Sequence, residues 1–200
     1  MLTLHYAPKT ISVAVAIALN EAGVDYTPVE VDFAKAAQTK APYLAINPKG
    51  RVPALITDTC VLTETGAILE YAAPSLVPSD PMQVARMREL MYYLASTMHV
   101  AHAHKMRGSR WANQQSSFDD MQAKVPQTMT ACAQHLEDTL AFTPFAIGSD
   151  FTAADAYLYV VLSWLPGDGV DMTLFPKLAG YVAQMDMRAS VRGAKSAGMI

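Results

Sequence analysis

Cysteine is nearly absent: Cys60 and Cys132 are the only two in 200 residues. Two cannot form a disulfide framework, and their scarcity fits a reducing compartment. Charge is scarce as well. Only 16% of residues are Asp, Glu, Lys or Arg, against about 25% in an average soluble chain. At this length, that deficit predicts apolar surface covered by a second domain or a partner chain. The 15 basic and 18 acidic residues sum to −3. This excludes both the basic footprint of a nucleic-acid binder and the acidic run of a disordered tail. No apolar run approaches the ~20 residues of a membrane span. Nothing in Met1–Tyr6 resembles a signal peptide, because a basic n-region is missing and a proline follows at position 8. Internal repeats and low-complexity tracts are missing too. A globular cytoplasmic chain is expected, with no membrane or nucleic-acid partner. Methionine is plentiful by contrast, at 12, which suits adaptable apolar surfaces.

The first ~75 residues alternate between strand and helix patterns. Leu2–Tyr6 reads as a strand, and Ala7-Pro8-Lys9-Thr10 as a turn. Ile11–Ala22 is apolar on nearly every face and stops at Gly23, which predicts a helix covered on more than one side. Tyr26–Val31 alternates as a strand does. Lys35–Ile46 is weakly helical, Asn47-Pro48-Lys49-Gly50 is a turn, and Val52–Ile56 and Val61–Leu62 read as strands. Thr63 is the expected N-cap of a helix over Ala67–Ser75. The order is that of an α/β unit with a mixed sheet. The prolines at 74, 78 and 81 mark a linker, after which strand patterns cease. Helices are expected over Met82–Lys105, Phe118–Ala141 with a bend at Pro126, Thr152–Leu165, Phe175–Met187 and Ala189–Ala197. In Thr152-Ala153-Ala154-Asp155, a hydroxyl cap and a returning carboxylate form a capping box. The predicted division is residues 1–77 as the α/β domain, 78–85 as linker and 86–200 as an all-α domain.

Several residues carry chemistry in this pattern. Val52-Pro53 is an X-Pro pair, the bond type that can be cis and so turn the backbone of residue 52 outward toward an extended peptide. Its simpler reading is a proline at a strand entry. Glu64 and Thr65 stand at a helix start, where exposed N–H groups favour a carboxylate and Glu64 can pair with an ammonium. The alternative is a solvated helix terminus. Thr10 and Ser12 open the first helix, where a hydroxyl either caps or donates to an anion. No G-x-S-x-G surrounds Ser12, so it is not read as a hydrolase nucleophile. His99, His102 and His104 crowd one stretch, but no cysteine or acid adjoins them and no metal is expected.

Four segments together resemble a cytosolic glutathione S-transferase of the bacterial beta class. They are Tyr6-Ala7-Pro8, Asn47-Pro48-Lys49-Gly50-Arg51-Val52-Pro53-Ala54-Leu55, Leu62-Thr63-Glu64-Thr65-Gly66-Ala67-Ile68-Leu69 and Phe151-Thr152-Ala153-Ala154-Asp155-Ala156-Tyr157. The resemblance implies a thioredoxin-like domain with a mixed four-stranded sheet, a C-terminal helical bundle, a homodimer, and glutathione as co-substrate. It implies that Val52 pairs its backbone with the cysteinyl part, beside a cis Pro53. Glu64 and Thr65 would hold the γ-glutamyl end, with Arg51 at the same site, and Lys35 would face the glycyl carboxylate. His99 matches a histidine that reaches the sulfur. One position departs: the class cysteine is replaced by Ile11. A mixed disulfide with the protein is therefore impossible there, and thiol-disulfide exchange is disfavoured.

Transferase chemistry needs only that glutathione's own thiolate be favoured. Lowering a thiol from about 8.5 by two units requires roughly 2.7 kcal/mol. One hydrogen bond to a charged acceptor supplies about 1.5–3 kcal/mol, and a helix N-terminus roughly 0.3–1 kcal/mol. Ser12 is the first candidate donor, then Thr10 and His99, with Tyr6 the weakest. The expected reaction adds the thiolate to a hydrophobic electrophile held against the helical domain, near Tyr6, His99, His102 and the Met-bearing helix. The alternatives are a non-catalytic binder of glutathione and apolar ligands, and a glutathione-dependent peroxidase.

Overall fold

The computed structural model describes all residues, 1–200. The first unit runs β1 (Leu2–Tyr6), α1 (Ser12–Ala22), β2 (Tyr26–Glu30), α2 (Ala41–Leu44), β3 (Ala54–Ile56), β4 (Val61–Thr63) and α3 (Thr65–Ala72). The sheet order is β2-β1-β3-β4. β1 and β2 are parallel, while β3 is antiparallel to both β1 and β4. This is the mixed four-stranded sheet of a thioredoxin-like unit.

Why α1 forms as it does follows from its sequence. Every residue from Ser12 to Leu19 is buried, so the helix cannot lie on a surface. It packs on β1 and is enclosed by α3 and by two helices of the second half, α7 (Ala153–Leu162) and α9 (Ala189–Ser196). Gly23 then ends it at φ +65°, a left-handed position that lets its N–H cap the last carbonyls.

The second half contains α4 (Pro81–Tyr93), a wide π turn at Leu94–Met98, α5 (His99–Ala103), α6 (Gln115–Thr139), α7, α8 (Pro176–Asp186) and α9. The expected linker over 78–85 is therefore shorter, because α4 already starts at Pro81. Asp80 accepts the Gln83 N–H at 2.8 Å, and proline is tolerated in a first turn. The Met82–Lys105 helix is broken in register by the π turn, which inserts extra chain just before His99. Pro126 lies inside α6. Thr63 is not a helix cap: it ends β4, paired with Ala54, and its hydroxyl accepts from Lys49 at 2.8 Å. α3 starts two residues later, after Glu64.

Forty-seven buried apolar residues form one cluster running through both halves. The two units thus share a core. The start of α7 is the strongest polar anchor in that core. Asp155 is fully buried. Its Oδ2 accepts the Thr152 N–H and hydroxyl, each at 2.8 Å. Its Oδ1 accepts the Ala146 N–H and the Tyr181 hydroxyl, each at 2.9 Å. Burial pushes the Asp155 carboxyl above the usual range, against the pull of these four donors.

Candidate active site

The cleft between the halves holds two adjoining cavities of about 860 Å³ and 190 Å³. Ile11, Arg51, Val52, His99 and Arg110 line both, so the two form one continuous site.

The loop carrying Val52 is fixed from behind. The buried Asn47 donates to the Arg51 carbonyl at 2.6 Å, and the Tyr43 hydroxyl does so at 2.7 Å. Gly50 sits at φ +62°, where a Cβ would meet the Gln38 carbonyl oxygen at 3.1 Å. The Val52–Pro53 peptide bond is cis. Neither the N–H nor the C=O of Val52 has a backbone partner, so both are free to pair with an extended peptide in the cleft.

Glu64 and Thr65 line the larger cavity. Glu64 has φ +71°, uncommon for a residue with a side chain. Such strain costs about 1–3 kcal/mol and gathers at ligand clamps. It directs the start of α3 into the cleft. The Glu64 carboxylate is exposed and meets Lys49 Nζ at 2.6 Å.

The mouth of α1 is arranged differently from the expectation. Ser12 is completely buried and lines neither cavity. Its Oγ accepts the Ala7 N–H at 3.0 Å and lies 2.7 Å from Thr10 Oγ1. The Thr10 hydroxyl donates to the Ala7 carbonyl at 2.8 Å. Ser12 therefore closes the turn after β1, and its hydroxyl faces the backbone of that turn instead of either cavity. Thr10 does line the smaller cavity, but its proton is already engaged. Tyr6 is likewise set back from the cleft. It is buried, lines neither cavity, and burial followed by the nearby Glu30 raises its hydroxyl pKa. Lys35 is exposed, pairs with Asp32 at 2.8 Å and lines neither cavity. Ile11 occupies the wall at the helix mouth.

His99 is the remaining candidate donor, and it faces both cavities. Its pKa is pushed down to about 4, first by burial and then by His102, Arg107, Arg110 and Arg51. It is neutral at pH 7 and so carries one N–H donor. Three arginines, 51, 107 and 110, stand around it, and Lys9 joins them along the smaller cavity. None of these four makes an ion pair within the chain. Burial, then Arg51, lowers the Arg107 pKa; burial, then Arg107 and Arg51, lowers that of Arg110. His102 stacks on Trp164, with centroids 4.3 Å apart and planes 19° apart, and its Nδ1 is 2.6 Å from Asp168 Oδ2. Trp164 Nε1 donates to the Lys9 carbonyl at 3.2 Å, tying this wall to the loop before α1. No group of three or more His, Cys, Asp or Glu side chains is placed to hold a metal ion.

Arg107, Arg110, Trp164 and Asp168 were not singled out from the sequence. A signal existed: between Glu89 and Asp119 there is no acidic residue, while three His, Lys105, Arg107 and Arg110 fall in that stretch. A local excess of cations is invisible in a chain whose total charge is −3.

A thioredoxin-like unit, a free backbone at Val52 and a cationic wall suit an extended, anionic peptide. Residues 2–74 match the glutathione S-transferase N-terminal domain, and residues 115–184 match the C-terminal domain. The chain belongs to the glutathione S-transferase family. A crystal structure of a glutathione transferase homologue from Sulfitobacter with bound glutathione has a TM-score of 0.97 and 61% identity, covering 100% of this chain and 99% of that one. Glutathione S-transferase GstA of Escherichia coli O157:H7 is 31% identical over 202 residues, covering 97% of each chain. A maleylacetoacetate isomerase of Rhizobium meliloti is 38% identical over 99 residues, covering 47% of this chain and 46% of its own. No helix is long and apolar enough to cross a membrane.

Proposed function

We propose that this glutathione transferase conjugates the glutathione thiolate to an electrophile with no protein cysteine taking part, and that His99 is its thiolate donor. The observation that carries the reading is the placement of His99, half-buried where the two cavities meet and beside Arg51 and Arg110, which line both and are unpaired. A neutral imidazole N–H donates to the sulfur, and the arginines favour the anion over the thiol. One such hydrogen bond is worth about 1.5–3 kcal/mol, close to the roughly 2.7 kcal/mol that a shift of two units requires. Val52 pairs with the cysteinyl part and Thr65, with the α3 N-terminus, takes the γ-glutamyl carboxylate. Arg51 adjoins Val52 and takes the glycyl carboxylate. The thiol proton leaves to solvent. Sulfur then attacks the electrophilic carbon, a C–S bond forms and the leaving group departs with its electron pair.

The low charge content supports a homodimer and the scarcity of cysteine a reducing compartment such as the cytoplasm, and Tyr71 and Tyr92, exposed on α3 and α4, are apolar surface available to a second copy. The isomerase relative supports a second reading, in which sulfur adds to a double bond and is later expelled. Mass spectrometry of the products after incubation with glutathione and an aryl halide tests the first reading. A stable glutathione adduct is expected; a chain that binds glutathione without turnover supports a non-catalytic binder, and the proposal fails.

A further inference from the structure

We propose that the second-substrate side of the cleft selects a flat electrophile carrying a carboxylate, in place of the purely hydrophobic one the sequence suggested. This rests on glutathione being held by Val52 and the start of α3, as proposed above. The smaller cavity is lined by Lys9, Arg51, Arg107 and Arg110 and by no Asp or Glu. Glutathione's γ-glutamyl carboxylate is met at α3 and its glycyl carboxylate by Arg51, which lines both cavities. Arg107 and Lys9 line the smaller cavity alone, whereas Glu64 and Thr65 line only the larger one, so the two cations lie on the opposite side of Val52 from the γ-glutamyl end.

Arg107 is partly buried. A cation out of water with no counter-charge is unfavourable unless an anion completes it. Asp168 does not serve. Its side chain is 1% exposed, and its oxygens are taken by His102 at 2.6 Å and Lys105 at 3.3 Å. Those contacts also hold the His102 ring flat on Trp164. The cavity thus offers a planar aromatic wall beside cations, which suits an unsaturated or aromatic acid whose carboxylate reaches Arg107 and Arg110.

A matched pair of aryl chlorides tests this. With 1-chloro-2,4-dinitrobenzene and 4-chloro-3,5-dinitrobenzoate the reaction is the same: sulfur attacks the chlorine-bearing carbon, C–S forms, C–Cl breaks and chloride leaves. Only the second carries a carboxylate, which is unchanged. Each kcat/KM is divided by the uncatalysed thiolate rate constant. The full-length protein is expected to favour the benzoate by about fivefold or more. Arg107→Met and Arg110→Met should bring that ratio toward one, Arg107→Lys should retain part of it, and added salt should lower it in the unaltered protein. A ratio at or below one, or a ratio unmoved by both Met variants and by salt, overturns the inference. Variants that raise only the glutathione KM overturn it too, by assigning these arginines to the tripeptide. Calorimetry with glutathione separates the two readings: no binding overturns both, while binding without carboxylate preference overturns this one alone.

Discussion

The start of α7 and the rim of the cleft are both polar regions, yet they are built oppositely. At Asp155 four donors converge on one carboxylate and every group has a partner inside the chain. Along the rim, the charged side chains of Lys9, Arg51, Arg107 and Arg110 have no ion-pair partner, and Val52 leaves both backbone groups free. A polar group satisfied internally stabilises the fold; one left unsatisfied beside a cavity is available for a ligand. The same criterion sorts the hydroxyls at the mouth of α1. Ser12 belongs with Asp155, and His99 belongs with the rim.

The comparison can be broken at its strong end first. Asp155→Ala orphans several buried donors and should destabilise the protein by roughly 3–5 kcal/mol. The melting temperature should fall by roughly 10 °C; a drop of only a degree or two would contradict the anchor role. Ser12→Ala leaves the buried Ala7 N–H without its acceptor. It should cost about 1–2 kcal/mol in thermal denaturation while the pKa of bound glutathione stays unchanged. A risen thiol pKa in that variant would return Ser12 to the chemistry.

His99 gives a smaller, pH-dependent effect. Its pKa falls from 6.5 to about 4 on folding. Between those values the unfolded chain binds more protons than the folded one, so stability falls as pH falls through that window. Chemical denaturation of the His99→Gln variant from pH 7 to 4 should show a shallower decline than the parent, and an identical decline would contradict the shift. Lys35→Ala should change least. The side chain is exposed and engaged only with Asp32, and exposed pairs contribute little. The glutathione KM should move less than about twofold; a larger rise would restore the glycyl contact.

Much of this was readable from the chain. The Asn47–Leu55 segment announced its turn and its X-Pro pair, and Thr152–Asp155 announced a helix start, because both depend on residues near in sequence. Gly23 marked the end of α1 for the same reason. The role of Ser12 was not readable. A hydroxyl at a helix mouth faces either the core or the cleft, and neighbouring helix residues differ by about 100° in direction. Only the fold decides which. The arginine wall was hidden likewise, since Arg107 and Trp164 reach one cavity from distant parts of the sequence. The π turn before His99 leaves no mark in an apolar periodicity that continues on both sides.

Ultraviolet titration of the bound thiolate puts the most weight on this account. Glutathione bound to the parent protein should ionise well below the free thiol's about 8.5, and in His99→Gln the midpoint should climb by roughly one to two units. An unmoved midpoint in His99→Gln, with glutathione still bound, would contradict the assignment of the sulfur to this histidine.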